Sequence, residues 1–247
     1  NIKNIKIQKD RTSVQLYLMM GFFSFVIPFG LVYWGQQYVP SGLAAVLFAV
    51  YPFFVLLFSF FMIRSEALGK NKLAGMFLSF AGIITIFSDH IGGDLTSYMV
   101  GMIAIVLSGV MQASIAVVIK KYGQHLNPLS MNFVPMIIAG FVMLFIGLLF
   151  EDTNSLRFDA NAILSVLYLA VFGSVITFTS YYWLLKRINI VILSLVAFIT
   201  PIVALMLGWI VFGEYFETHQ IIGSAMVLIG ILIANAISFF KPQPTRV

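Results

Sequence analysis

YWGQQYVPSGLAAVLFAVYP (residues 33–52) and YWLLKRINIVILSLVAFITP (residues 182–201) carry the same punctuation 149 residues apart. Each opens on Tyr-Trp and reaches a proline nineteen residues after the tyrosine. The match extends outward in register. Phe23 pairs with Phe172, Val26 with Val175, Ile27 with Ile176 and Phe29 with Phe178, ahead of Tyr33/Tyr182, Trp34/Trp183 and Pro52/Pro201. After the prolines the offset becomes 148, pairing Glu66 with Glu214, Gly75 with Gly223 and Gly82 with Gly230. Shared apolar residues say little between two greasy segments. Tyr-Trp, Pro, Glu and paired Gly at kept spacings mark an internal repeat.

The repeat lies in a chain built for lipid. Of its 247 residues 61% are hydrophobic and only 9% charged, too little polar material to coat a soluble globule. Eight apolar stretches stand out, at 13–36, 42–63, 72–88, 97–119, 128–150, 161–185, 190–212 and 218–239. About 20 such residues in a helix cross a hydrocarbon core of ~30 Å. None carries Asp, Glu, Lys or Arg centrally, where each costs about 2.5–3.5 kcal/mol. The runs are too long for barrel strands and lack their period of two. With no cysteine, disulfides, thiolate metal sites and a cysteine nucleophile are excluded. The fold class expected is an all-α polytopic membrane protein.

Loop charge orients it. If the N-terminal side is called side one, 13 of the 14 Lys and Arg residues fall there and only Arg157 falls on side two. Seven of the nine acids fall on side two. The positive-inside rule makes side one cytoplasmic, with both termini of the chain on it, in the cell (inner) membrane. The opening NIKNIKIQKDR reads as a short basic cytoplasmic segment, not a cleaved signal. Asn127-Pro128 offers a helix N-cap with proline at the first helical position, and Ser41, Asn189 and Thr218 are candidate caps elsewhere.

Orientation gives the repeat its meaning. The helix at 13–36 leaves the cytoplasm, whereas its counterpart at 161–185 enters from outside, so the repeat is inverted. Inversion needs a unit with an odd number of helices, and from 97 onward there are five. The first unit shows only the last three, over residues 1–92, and the complete second unit covers 93–247. The expectation is a ten-helix (5+5) inverted-repeat protein whose first two helices precede Asn1; the alternative is a native eight-helix protein. Inverted repeats in a membrane are the mark of secondary transporters, which expose a central site to each side in turn.

The segment SGLAAVLFAVYPFFVLLFSFFMIRSEALGKNKLAGMFLSFAGIITIF resembles the second half of an EamA domain, of the drug/metabolite transporter superfamily. FITPIVALMLGWIVFGEYFETHQIIGSAMVLIGILI resembles it again, its FGE nearer the family's Gly-Glu than RSE at 64–66. The resemblance covers nearly the whole chain. It implies ten helices in two inverted units and export of amino acids, metabolites or drugs.

Candidate solute-binding residues are Gln112, Tyr51, Pro52, Ser108, Thr177, Tyr181, Thr200 and Pro201. Pro52 and Pro201 lie mid-span, where proline frees a carbonyl and kinks the helix. The alternative is a packing kink without a ligand. Gln112, one turn after Ser108, carries an amide that wants several partners; for it and for Ser174, Thr177 and Thr200 the alternative is interhelical bonding. Tyr33, Trp34, Tyr182 and Trp183 are candidate aromatic gates, or belt residues at headgroup level. Ser130 and Asn132 lie near a cytoplasmic helix end. Glu66 and Glu214 sit at loop level and suit the N-terminal end of the next helix; the four repeated glycines suit close helix packing. DHIGGD at 89–94 reads as an external turn.

No helix carries an ionisable group at depth, so proton coupling would lie elsewhere or transport would run down a gradient. An intramembrane enzyme would need titratable or nucleophilic groups there, and His90, His125 and His219 all fall in loops or at helix ends. Catalytic, metal and cofactor sites are therefore not expected. A small-molecule substrate and the lipid bilayer are the partners expected, nucleic acid is not, and a homodimer is an allowed assembly. The leading function is an alternating-access exporter; the alternatives are a lipid or lipid-linked headgroup flippase and a non-transporting membrane subunit.

Overall fold

The computed structural model describes residues 7–63, 70–86, 97–151, 159–190, 193 and 196–240. Glu66 and the turn at 89–94 lie outside the described residues. Among those described, all regular elements are helical. Helix α1 spans Arg11–Gly35, with a π-helical segment at Gly21–Val26. The span α2, Ser41–Met62, comes in two pieces, Ser41–Phe48 and Tyr51–Met62. Then follow α3 (Lys70–Ile86), α4 (Ser97–Tyr122) and α5 (Pro128–Phe150). Helix α6, Ala160–Arg187, holds a second π-helical segment at Leu169–Ile176, ahead of α7 (Val196–Phe212) and α8 (Thr218–Phe240). Each apolar stretch of the sequence thus contains a helix. Helices α1, α2, α4, α5 and α6 are long and apolar enough to cross a membrane.

Side chains set several helix starts. Asp10, Asn127 and Asp159 accept backbone N–H bonds at the beginnings of α1, α5 and α6. Two expected caps are displaced. Ser41 is the first residue of α2, behind Pro40. Thr218 opens α8, but Glu217 is the cap: its carbonyl accepts from Ile221 and its N–H donates to Gln220 Oε1, half of a capping box.

The helices sort into two compact units, Asn1–Ile27 with Ile119–Ile188 and Pro28–Val118 with Asn189–Val247. In the smaller unit α5 packs on the π-helical segment of α1 and on the C-terminal part of α6. Leu16, Tyr17, Met20 and Phe25 of α1 are buried there, and Phe25 meets the ring of Phe178 edge-on at 5.2 Å. At the opposite end of the chain's polarity scale, Lys120 donates to the carbonyls of Leu185 and Ile188, and Lys186 to that of Leu126. Lys120 thereby caps carbonyls at the end of α6, and Lys186 satisfies a carbonyl in the α4–α5 loop.

The core of the larger unit includes Leu43, Val46, Leu47, Phe53, Ile86, Met102, Ile105, Val227 and Ile231. Its closest helix crossing joins α3 to α8. A Cβ added to Gly82 would lie 2.6 Å from the Gly223 carbonyl oxygen, and one added to Gly223 would lie 2.6 Å from that of Gly82. A Cβ on Gly230 would lie 2.5 Å from the Gly75 carbonyl oxygen. Midway, Ser79 Oγ donates to the Val227 carbonyl at 2.9 Å. The two helices therefore run antiparallel with their backbones in contact. Because Gly75 corresponds to Gly223 and Gly82 to Gly230, the two contacts exchange under the repeat relation, as contacts do across a twofold axis.

Candidate functional site

Proline first decides the shape of α2. Pro52 has no N–H for the carbonyl of Phe48, four residues earlier, and the helix breaks there: Ala49 and Val50 form a turn before Tyr51 restarts it. The expected kink is thus a full interruption. Tyr51 is buried and stacks on Phe48 at 6.0 Å. Gly109 of α4 passes at this point; a Cβ on it would lie 3.3 Å from Val50 and 3.5 Å from the Phe48 carbonyl oxygen. Its neighbour Ser108 is fully buried and donates to its own helix, to the Ile105 carbonyl at 2.6 Å. Tyr51 and Pro52 thus lie at the break, Ser108 precedes the glycine that passes it, and Gln112 is half-buried one turn along α4. Pro201 is buried within a continuous α7, and Thr200 before it is exposed. Tyr33 and Trp34 are exposed near the end of α1, Tyr33 stacked on Phe29 and Trp34 edge-on to Tyr38.

The smaller unit holds the other candidates. Thr177 Oγ1 donates to the Phe172 carbonyl at 2.7 Å, at the end of the π-helical segment. Tyr182 is buried, with Tyr181 edge-on to it at 5.5 Å. Trp183 is exposed beneath the Arg187 guanidinium, 3.8 Å from the ring centroid. Thr179, Ser180, Trp183 and Leu184 line a pocket of about 340 Å³.

Two features go beyond the sequence reading, which named Asn132 as a polar residue near a cytoplasmic helix end but not its partners. The first is the π-helix, which occupies Gly21–Val26 in one repeat and Leu169–Ile176 in the other, overlapping positions at the 149-residue offset. One extra residue in the hydrogen-bonded ring moves the ladder to i+5, seen in the Ile27 N–H bonding the Phe22 carbonyl. Pro28 and Thr177 occupy the same repeat position: one lacks an N–H, the other adds a hydroxyl bond to the carbonyl five residues back. That pairing was the available signal. The second is Asn132, fully buried, whose Nδ2 donates to Thr179 Oγ1 at 2.9 Å and to the carbonyls of Ser174 and Val175 at 3.3 Å each.

Glu214 has an unexpected partner. Gly213, at φ 63°, lets the chain reverse after α7, and the Glu214 N–H returns to the Gly208 carbonyl at 2.9 Å. The carboxylate then caps α2, not the following α8: Oε1 accepts from the Ser41 N–H (2.8 Å) and Oγ (2.6 Å), and Oε2 from the Gly42 N–H (3.1 Å). Burial pushes this carboxyl up, but the bonds from Ser41 and Gly42 outweigh it and hold it below its ordinary value of 4.5.

Known proteins share this pattern. The sequence pattern of the EamA-like transporter family matches residues 2–88 and 99–236. Protein PagO of Salmonella typhimurium is 29% identical over 211 residues, covering 85% of this chain and 69% of PagO. The transporter YoaV of Bacillus subtilis is 24% identical, over 97% of this chain and 80% of its own length. The inner membrane transporter YedA of Escherichia coli K12 is 28% identical, over 84% of this chain and 66% of its own. One protein crystal structure superposes with a TM-score of 0.68 at 18% identity, over 97% of this chain and 81% of that one, a likeness of fold. Helices of membrane-spanning length and a match across nearly the whole chain place this multi-pass membrane protein in the EamA-like transporter family.

Proposed function

We propose that the chain is the larger part of a carrier that moves small solutes out across the inner membrane by alternating access. It would be built of two inverted repeats: the remnant at 1–92 and the complete unit at 93–247. The observation that carries this reading is the α3–α8 crossing, where repeat-related glycines meet reciprocally on antiparallel helices. An axis relating two antiparallel membrane helices lies in the membrane plane, as it does in inverted-repeat carriers.

Burial supports a ten-helix whole. On α1, Tyr17, Met20, Gly21 and Phe25 are buried in the unit that contains α5. Their repeat counterparts on α6 are Val166, Leu169, Ala170 and Ser174; the first two are 65% and 60% exposed and Ala170 is exposed too. A first-repeat helix equivalent to α5 would cover them, as the ten-helix reading expects. Tyr51, Ser108, Gln112, Thr177, Tyr181 and Thr200 remain the proposed solute contacts with the two prolines, and Tyr33, Trp34, Tyr182 and Trp183 the proposed gates.

Proteoliposome efflux with the full-length parent, over a panel of amino acids and aromatic drugs, tests this. Saturable movement of at least one solute is expected; none across the panel overturns the reading. A lipid-flipping reading has one observation in its favour, an apolar pocket of about 560 Å³ lined by Leu205, Met206, Trp209, Tyr215 and Phe216. Headgroup scrambling in the same vesicles separates the two.

A further inference from the structure

Asn132 Oδ1 is buried and has no hydrogen-bond partner. The other end of the same amide fixes its orientation, since Nδ2 faces three oxygens: Thr179 Oγ1 and the carbonyls of Ser174 and Val175. Turned over, the amide would set its oxygen against the two carbonyls, although the Thr179 hydroxyl could then donate to it. The side chain thus spends its donors on the π-helical segment of α6 and keeps an unmet acceptor. A buried acceptor without a donor calls for a water, an ion or a ligand.

We infer that Asn132 Oδ1 accepts a hydrogen bond from the carried solute, and that the site it forms with the π-helical segment of α6 takes an uncharged N–H group such as a primary amide. This rests on the carrier reading above. The chemistry narrows the class in two steps. Asn132 Oδ1 and the carbonyls of Ser174 and Val175 can only accept, so a carboxylate or phosphate placed against them would meet like partial charges. A cation would suit the oxygens but not the surroundings, because Lys120, Lys186 and Arg187 cluster at the end of α6. Lys186 lies seven residues beyond Thr179, roughly 10 Å along a helix, and in a low-dielectric interior that distance leaves a repulsion between like charges. An uncharged donor avoids both conflicts. Thr179, whose hydroxyl receives Asn132, also lines the pocket of about 340 Å³, so that one side chain separates the pocket from Asn132.

The test uses benzamide and N,N-dimethylbenzamide, which share an apolar body and differ in N–H donors. Binding is read as ligand-induced thermal stabilisation of the purified chain, wild type and Asn132→Ala, with size-exclusion elution checking the fold. Wild type is expected to bind benzamide about fivefold more tightly than the dimethyl compound, the worth of one neutral hydrogen bond. Asn132→Ala is expected to lose that preference. Equal binding by wild type, binding of neither compound, or a preference that survives in folded Asn132→Ala overturns the inference. If Asn132→Ala does not fold, the wild-type pair alone decides. A parent protein that moves other solutes while wild type shows no amide preference defeats this inference and spares the carrier reading; absent efflux with the preference intact does the reverse.

Discussion

Glu214 shows how a single side chain ties two distant parts of one unit. It sits 173 positions from Ser41, yet its carboxylate satisfies orphan N–H groups that begin α2. Replacing it with alanine should cost about 1 kcal/mol, as losing a helix cap does. The pH dependence has a definite sign. A carboxylate held below its unfolded value contributes stability that is complete above that value and is lost as pH falls through the lowered one. The wild-type thermal midpoint should therefore drop as pH is taken below 4.5. Glu214→Gln should lack that component, and an unchanged acid slope in the variant would refute the role. The carboxylate was legible in sequence as a repeat mark near a helix start, but its target was not. Sequence proximity favoured the next helix, while the reversal at Gly213 aims the chain elsewhere.

At the scale of elements, the α3–α8 crossing and the π-helices make separate predictions. Gly82→Ala or Gly223→Ala puts a methyl against opposing backbone, which cannot yield as a flexible side chain would. Each should destabilise by about 1–3 kcal/mol, measured by thermal unfolding in detergent. Gly30→Ala, with nothing within 4 Å of the added carbon, is the matched control and should be near neutral. Thr177→Val removes the hydroxyl bond to the Phe172 carbonyl and should cost about 0.6 kcal/mol, a typical bond at membrane depth, while Thr177→Ser retains it. The glycines were readable in advance because a spacing of seven puts them on one helix face, and only small residues let backbones touch. The π-helices were not. They follow from one added residue in the hydrogen-bond ladder, which leaves the hydrophobic period almost unchanged; only the Pro28/Thr177 correspondence hinted at them. Pro52 and Pro201 mark the limit of residue identity, since one breaks its helix and the other sits in an unbroken one.

For the whole molecule, hydropathy located a helix in each of the eight apolar stretches among the described residues, five of them long enough to cross a membrane, because twenty apolar residues have few other uses. The candidate contacts were less accessible to reading. Polar side chains such as Ser108 and Thr177 bond their own helices, a choice that depends on local geometry and not on residue type. The central claim is that the two repeats face opposite leaflets, and the lack of cysteine in these 247 residues makes it directly measurable. Tyr38 and Arg187 are repeat-related and both exposed. With Tyr38→Cys and Arg187→Cys made singly, a membrane-impermeant maleimide should label the first only from outside intact spheroplasts and the second only in inside-out vesicles. Labelling of both from the same face would contradict the inverted arrangement and the carrier built on it.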